Sequence, residues 1–349
     1  MEANKNSTAA AKPRITRKQI ANKLIDNLLY IILLIYIIGV TITSPRFLSF
    51  GSIVNIITNT SFRLPIALGI GGIIVLTGTD LSAGRIVGLT ACIVASLTQR
   101  LDYPSKMFPE LGDMNLLFVL LIVMVVGGLI GSFNGYFVAR FKLHPFIVTL
   151  STALIVYAMS LAYIKLGTNA GKPLGGLRPE FADLITGGIT LFGIRIQFIV
   201  FYAIALVGIM WFIWNHTVIG KNMFAVGCNP EAANVSGISV TKTIVTVFTI
   251  AGVLYGINGY ITSAFVGSNN AATGFNFELD AIAACVIGGV SFSGGVGKIS
   301  GIVLGVVLLQ LITASFIFLG VDANLQYAIK GVVILIATAI DMRKYVAKR

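Results

Sequence analysis

The chain has 349 residues, 56% of them hydrophobic and only 11% charged, with a mean hydropathy of +0.92. Soluble domains carry roughly 25% charged residues, so the composition excludes an ordinary soluble domain and points to an all-α polytopic membrane protein. The net charge of +12 sits on bases that flank apolar runs, with no basic stripe interleaved with aromatics. It reads as the bias of cytoplasmic loops toward Lys and Arg, and it excludes nucleic-acid binding.

Other classes fall away as quickly. The alternating pattern of a membrane β-barrel, with segments of roughly ten residues, is absent. The cysteines Cys92, Cys228 and Cys285 are too far apart for a metal motif. His144 and His216 lie at the ends of apolar runs and form no metal pair. No metal or cofactor is therefore expected in this chain.

Residues 1–26 read as a basic cytoplasmic tail. No small-residue cleavage site follows the first apolar run, so that run is expected to stay in the membrane as a span and not to be removed as a signal peptide. About ten transmembrane helices are expected, forming a single transmembrane domain over 27–342. The stretches are Leu28–Thr43, Ser52–Thr77, Ser82–Leu97, Leu116–Ala139, Pro145–Ile164, Ile196–Trp214, Thr243–Ala264, Ala281–Val290, Ile299–Leu319 and Leu325–Ile340. A full crossing needs about 20 apolar residues, so Ala281–Val290 is too short; it is expected to be a half-helix reaching a cavity.

The polar connections set the orientation. Gly78–Arg85, Arg140 with Lys142, Ser291–Lys298 and the tail 343–349 are expected inside. The acid-bearing loops Arg100–Asn115, Gly167–Arg195 and Gly267–Asp280 are expected outside. Both termini are then cytoplasmic.

One polar island, the loop 215–242, is expected on the cytoplasmic side. Within it Asn229 suits an N-cap, Pro230 the first helical position, Glu231 the positive end of the helix dipole, and Gly237 a stop. A short capped helix held between two spans is either a docking knob for a soluble partner or an ordinary solvated loop.

Other motifs stand beside plainer readings. Ser293–Ile299 looks like a phosphate loop, but the pattern needs Gly at 292 and Ser or Thr at 299, where this chain has Phe292 and Ile299. A tight turn is the better reading, so ATP for any powered transport must be held by another chain. Asp80, in a glycine-broken join, is either a functional group at membrane depth or a cap of the next helix at the cytoplasmic surface, with Arg85 one turn away as a partner. Asn134 and Gln310 either line a path or bond to neighbouring helices. Asp280 suits a cap of the short eighth stretch. Lys330 is expected to snorkel to the interface. No other carboxylate falls inside an apolar run, which speaks against an ion-coupled secondary sugar transporter, the alternative reading.

Three stretches then combine: Leu76–Gly84 (LTGTDLSAG), Gly220–Ala233 (GKNMFAVGCNPEAA) and Glu278–Gly295 (ELDAIAACVIGGVSFSGG). Together they resemble the membrane permeases of bacterial ABC importers for monosaccharides, the ribose/galactose/xylose group, and within it the galactose or methyl-galactoside branch. The resemblance runs from the first span to the C-terminus. It implies a bacterial inner-membrane location and a homodimer with a second permease copy. It also implies a cytoplasmic ABC ATPase that holds ATP and Mg, and a periplasmic sugar-binding protein. It further implies that Asn229, Pro230, Glu231, Ala232 and Ala233 belong to a coupling helix that fits a cleft on the ATPase.

Overall fold

A computed structural model describes residues 28–191 and 193–346. The expected N-terminal tail 1–26 and residues 347–349 lie outside the described residues. Among those described there are thirteen α-helices and one two-stranded hairpin. Each of the ten expected apolar stretches falls on a helix. These are α1 (Leu28–Thr43), α2 (Phe50–Val75), α3 (Ala83–Leu97), α4 (Leu116–Phe141), α5 (Pro145–Tyr163), α7 (Phe198–His216), α10 (Val240–Val266), α11 (Phe277–Ile287), α12 (Ile299–Phe318) and α13 (Ala323–Val346). Of these, α2, α4, α5, α7, α10 and α12 are long and apolar enough to cross a membrane by length and composition.

Local chemistry sets several of the helix starts. Asn115 Oδ1 accepts from the Leu117 N–H at 2.8 Å and opens α4. Pro145 takes the first position of α5, where its missing N–H costs nothing. Ser239 caps α10 through its hydroxyl.

The centre of the bundle is α10, which packs along α4 and also meets α3 and α2. The α4–α10 seam is built from glycine. A Cβ on Gly131 would lie 2.2 Å from the Phe248 carbonyl oxygen, and one on Gly252 would lie 2.1 Å from that of Gly127. Only residues without a side chain let the two backbones approach this closely, the usual way apolar helices associate in lipid. The second seam joins α11 to α12, where a Cβ on Gly305 would lie 1.9 Å from the Ala284 carbonyl oxygen. The faces of α4, α7 and α13 turned away from these seams carry exposed Leu121, Leu129, Ile204, Phe212 and Leu335. An apolar rim of this kind is what a bilayer requires.

Four expectations need correction. The stretch Gly167–Arg195 is not a bare loop. It holds α6 (Pro179–Thr186) and the hairpin β1 (Gly188–Leu191) with β2 (Ile194–Gln197), in which Gly188 pairs with Gln197. Strands of four residues are too short to show a period, so the all-α expectation missed them. The island carries two helices and not one: α8 (Val218–Cys228) and α9 (Pro230–Val235).

The third correction concerns sidedness. Gly78–Arg85 and Gly267–Asp280 were expected on opposite surfaces. A Cβ on Gly84 would lie 2.4 Å from the Gly274 carbonyl oxygen, and one on Gly88 2.2 Å from that of Thr273. A hydrocarbon core about 30 Å thick cannot separate groups in contact, so these connections run into the bundle. Irregular backbone at that depth is tolerated where protein covers it. Finally, Arg85 does not pair with Asp80. Its guanidinium lies 4.5 Å from the ring centre of Tyr157 and 5.0 Å from that of Phe275.

Candidate functional site

Three groups of residues carry the chemistry, beginning with the island. Asn229 has an extended backbone, and its Oδ1 accepts from the N–H groups of Glu231 at 2.9 Å and Ala232 at 3.0 Å. Pro230 follows as the first residue of α9 and Glu231 lies in its first turn. Gly237, at φ +85°, closes the helix. Its N–H donates to the Asn234 carbonyl and that of Ile238 to the Ala233 carbonyl, each at 3.0 Å, the paired pattern of a left-handed helix stop. Asn229, Pro230, Glu231 and Ala232 are exposed, whereas Ala233 is only 5% exposed and supports the knob from beneath. Val235, 90% exposed, completes the outer face. The sequence reading passed over it, although an apolar residue within the polar run Asn234–Gly237 was a usable signal.

A tight joint fixes this knob to the bundle. The Gly295 N–H donates to the Val75 carbonyl, the last residue of α2, at 2.9 Å. A Cβ on Gly227 would lie 2.0 Å from the same oxygen. The turn Ser291–Lys298, with positive φ at Gly294 and Gly295, therefore binds α8 and α2 together. It also links α11 to α12.

The second group surrounds Asp80. Thr152 Oγ1 donates to Asn134 Oδ1 at 2.6 Å, Asn134 Nδ2 to Ser82 Oγ at 2.9 Å, and Ser82 Oγ to Asp80 Oδ1 at 2.6 Å. The Ser82 N–H adds a bond to the same oxygen at 2.8 Å. All four residues are buried. The run crosses from α5 through α4 to the join before α3, with every donor pointing toward the carboxylate, an arrangement in which each bond strengthens the next. Asp80 lies in the interior and not at a surface, and the cap position of α3 falls to Ser82. The hydroxyl of neighbouring buried Tyr255, on α10, faces the same carboxylate.

The third group surrounds Asp280. Lys330 Nζ on α13 lies 3.2 Å from Asp280 Oδ1, and Arg63 Nη2 on α2 lies 4.0 Å from Oδ2. Lys330 therefore turns inward and does not snorkel. Asp280 sits inside the first turn of α11 and not at its cap. Arg63 also stacks on Phe277 at 3.8 Å. The sequence reading missed Arg63, although a lone base in the middle of the second apolar stretch was visible. Gln310 lines a gap of about 10 Å³ with Arg63 and Asp280. It also lines a groove of about 490 Å³ with Ser52, Asn55, Asn59 and Thr313. The four polar candidates divide accordingly. Asp80 and Asn134 meet in one network, while Asp280 and Gln310 meet beside the other.

Residues 52–338 match the family described as branched-chain amino acid transport system / permease component. The chain belongs to this permease family. Its relatives cover nearly its whole length. It is 42% identical over 336 residues to the galactose/methyl galactoside import permease protein of Escherichia coli K12, spanning 96% of this chain and 99% of that one. It is 41% identical over 325 residues to the protein of the same name from Haemophilus influenzae, spanning 93% and 96%. The ribose import permease protein of Escherichia coli K12 is 32% identical over 318 residues, spanning 90% and 92%. No solved structure matches the chain. Membership makes this permease a transport component and not an enzyme.

Proposed function

We propose that this chain is the membrane permease subunit of an ATP-driven importer that carries a monosaccharide, galactose or methyl galactoside, into a bacterial cell. The observation that carries the reading is the 42% identity to a galactose/methyl galactoside import permease across 96% of the chain. An ion-coupled carrier, the alternative reading, finds no support in these names.

In this proposal about ten transmembrane helices, α11 too short for a full crossing, sit in the inner membrane, both termini are cytoplasmic, and two copies form the pathway between them. A periplasmic binding protein delivers the sugar. A separate cytoplasmic ATPase binds ATP and Mg, and this chain holds neither. The exposed face of α9, formed by Asn229, Pro230, Glu231, Ala232 and Val235, fits a cleft on that ATPase, with Ala233 bracing it.

Movement of the knob reaches the bundle through Gly227, Val75 and Gly295. Because α2 ends at this joint and the Ser291–Lys298 turn links α11 with α12, one displacement acts on three helices. Asp280 and Gln310 ride on them and belong to the path. Asp80 and Asn134 hold the scaffold.

Growth of a deletion strain on single sugars tests the substrate. Restoration on galactose or methyl galactoside, and not on ribose, supports the proposal; restoration on ribose alone contradicts the sugar assignment. For the coupling face, Glu231→Lys is expected to lower ATPase capture from solubilised membranes about tenfold. Undiminished capture removes Glu231 from that contact.

A further inference from the structure

We infer that the groove between α2 and α12 is each copy's wall of the outer half of the sugar path, and that the Arg63–Asp280–Lys330 triad is its closed floor. This deepens the permease reading and rests on it. The occupant is a neutral polyol.

The lining supplies the first argument. Ser52, Asn55 and Asn59 lie on one face of the first half of α2, opposite Gln310 and Thr313 of α12, around about 490 Å³. Asn55 and Asn59 are exposed. In a membrane span otherwise packed mostly in protein, amides left exposed to lipid are costly, and they point to a watery cavity. Amides and hydroxyls both donate and accept, so they can replace the water around sugar hydroxyls. Being uncharged, they hold a sugar weakly enough to release it, as passage requires.

The second argument is continuity. Gln310 borders both the groove and the gap beside Arg63 and Asp280. That gap has about 10 Å³, room for roughly one water. The space beside Gln310 is therefore sugar-sized on the groove side and water-sized on the triad side.

The third argument is the triad itself. Three helices each supply one charge: Arg63 from α2, Asp280 from α11 and Lys330 from α13. Arg63 Nη1 is buried and lacks a hydrogen-bond partner, although it borders a gap lined by Gln310. A buried donor held without a partner is unusual, and a sugar hydroxyl entering the gap would satisfy it. The net positive charge of the closed floor also opposes leakage of protons and other cations, as an arginine does in other selective pores. The floor is coupled to the cytoplasmic side, because α2 ends in the joint at Val75 and the turn after α11 completes it.

The test introduces cysteines at Asn55, Asn59 and Ala67. Ala67 borders the gap and is buried. Right-side-out membrane vesicles holding the whole importer, loaded with an ATP source and supplied with the sugar-binding protein, are treated with a membrane-impermeant methanethiosulfonate, and galactose uptake is read before and after treatment. The parent chain, with its own three cysteines, sets the blank. Asn55→Cys and Asn59→Cys are expected to react, and modification is expected to lower uptake at least tenfold. Ala67→Cys is expected to stay unreactive until Asp280→Asn is added, and to stay unreactive with Asp280→Glu. Should Asp280→Asn not reach the membrane, Lys330→Met takes its place.

The inference is overturned by unreactive positions 55 and 59, or by reaction there with uptake unchanged. A disulfide between copies at position 55 that leaves uptake intact would assign the face to copy–copy contact and also overturn it. Reaction of Ala67→Cys with the triad intact would remove the floor. If the parent chain shows ATP-dependent galactose uptake while these results fail, the groove is wrong and the permease reading stands. If the parent itself carries no galactose, the reading beneath fails.

Discussion

Asp80 and Asp280 hold comparable places. One stands just before the buried helix α3, the other in the first turn of the short helix α11. Their settings are opposite. Asp80 ends a line of neutral donors from Thr152, Asn134 and Ser82, all packed in the interior. Asp280 lies between two cations on separate helices, beside a gap that shares Gln310 with a groove. The difference separates a clamp from a latch. A buried neutral network is stable only while every member keeps its partner, so it suits parts that stay together. Buried ion pairs contribute little net stability, because desolvation offsets their attraction. They can therefore separate when the cavity opens and water reaches the charges.

Breaking the clamp should have the largest effect. Asn134→Leu leaves the Ser82 and Thr152 hydroxyls buried with a partner lost, a loss of about 2–3 kcal/mol. Thermal unfolding of the detergent-solubilised protein should show it as a lower midpoint. Asp80→Asn sharpens the contrast. An amide oxygen can still accept from Ser82, so stability should fall by only about 1 kcal/mol, with uptake largely retained. Neutralising the whole triad, with Arg63→Gln, Asp280→Asn and Lys330→Gln together, should do the reverse, leaving the unfolding midpoint nearly unchanged while uptake falls about tenfold. Equal behaviour of this triple variant and Asp80→Asn would erase the distinction. The smallest effect is expected at the knob: Asn229→Ala removes one cap and should loosen α9 by about 1 kcal/mol, read as faster hydrogen exchange over residues 230–236.

What could be read from the sequence follows the same division between local and distant. The cap at Asn229, the stop at Gly237 and the existence of the apolar helices depend on neighbouring residues, and each was readable. The two partners of Asp280 were not, because Arg63 and Lys330 come from opposite ends of the chain and only the fold joins them. The Asp80 network was legible as a pair of candidates, Asp80 and Asn134, but not as a contact. The depth of the Gly267–Asp280 loop was hidden for another reason. Its polarity resembles that of a surface loop, and only the glycine contacts with α3 show that protein surrounds it. The hairpin at 188–197 was too short to announce itself.

The most direct measurement is sugar uptake by proteoliposomes holding this chain, with ATP, the partner ATPase and the sugar-binding protein added in turn. The account predicts galactose accumulation only when all three are present, and its loss with Glu231→Lys. Accumulation driven by a proton or sodium gradient, with no ATPase present, would contradict it.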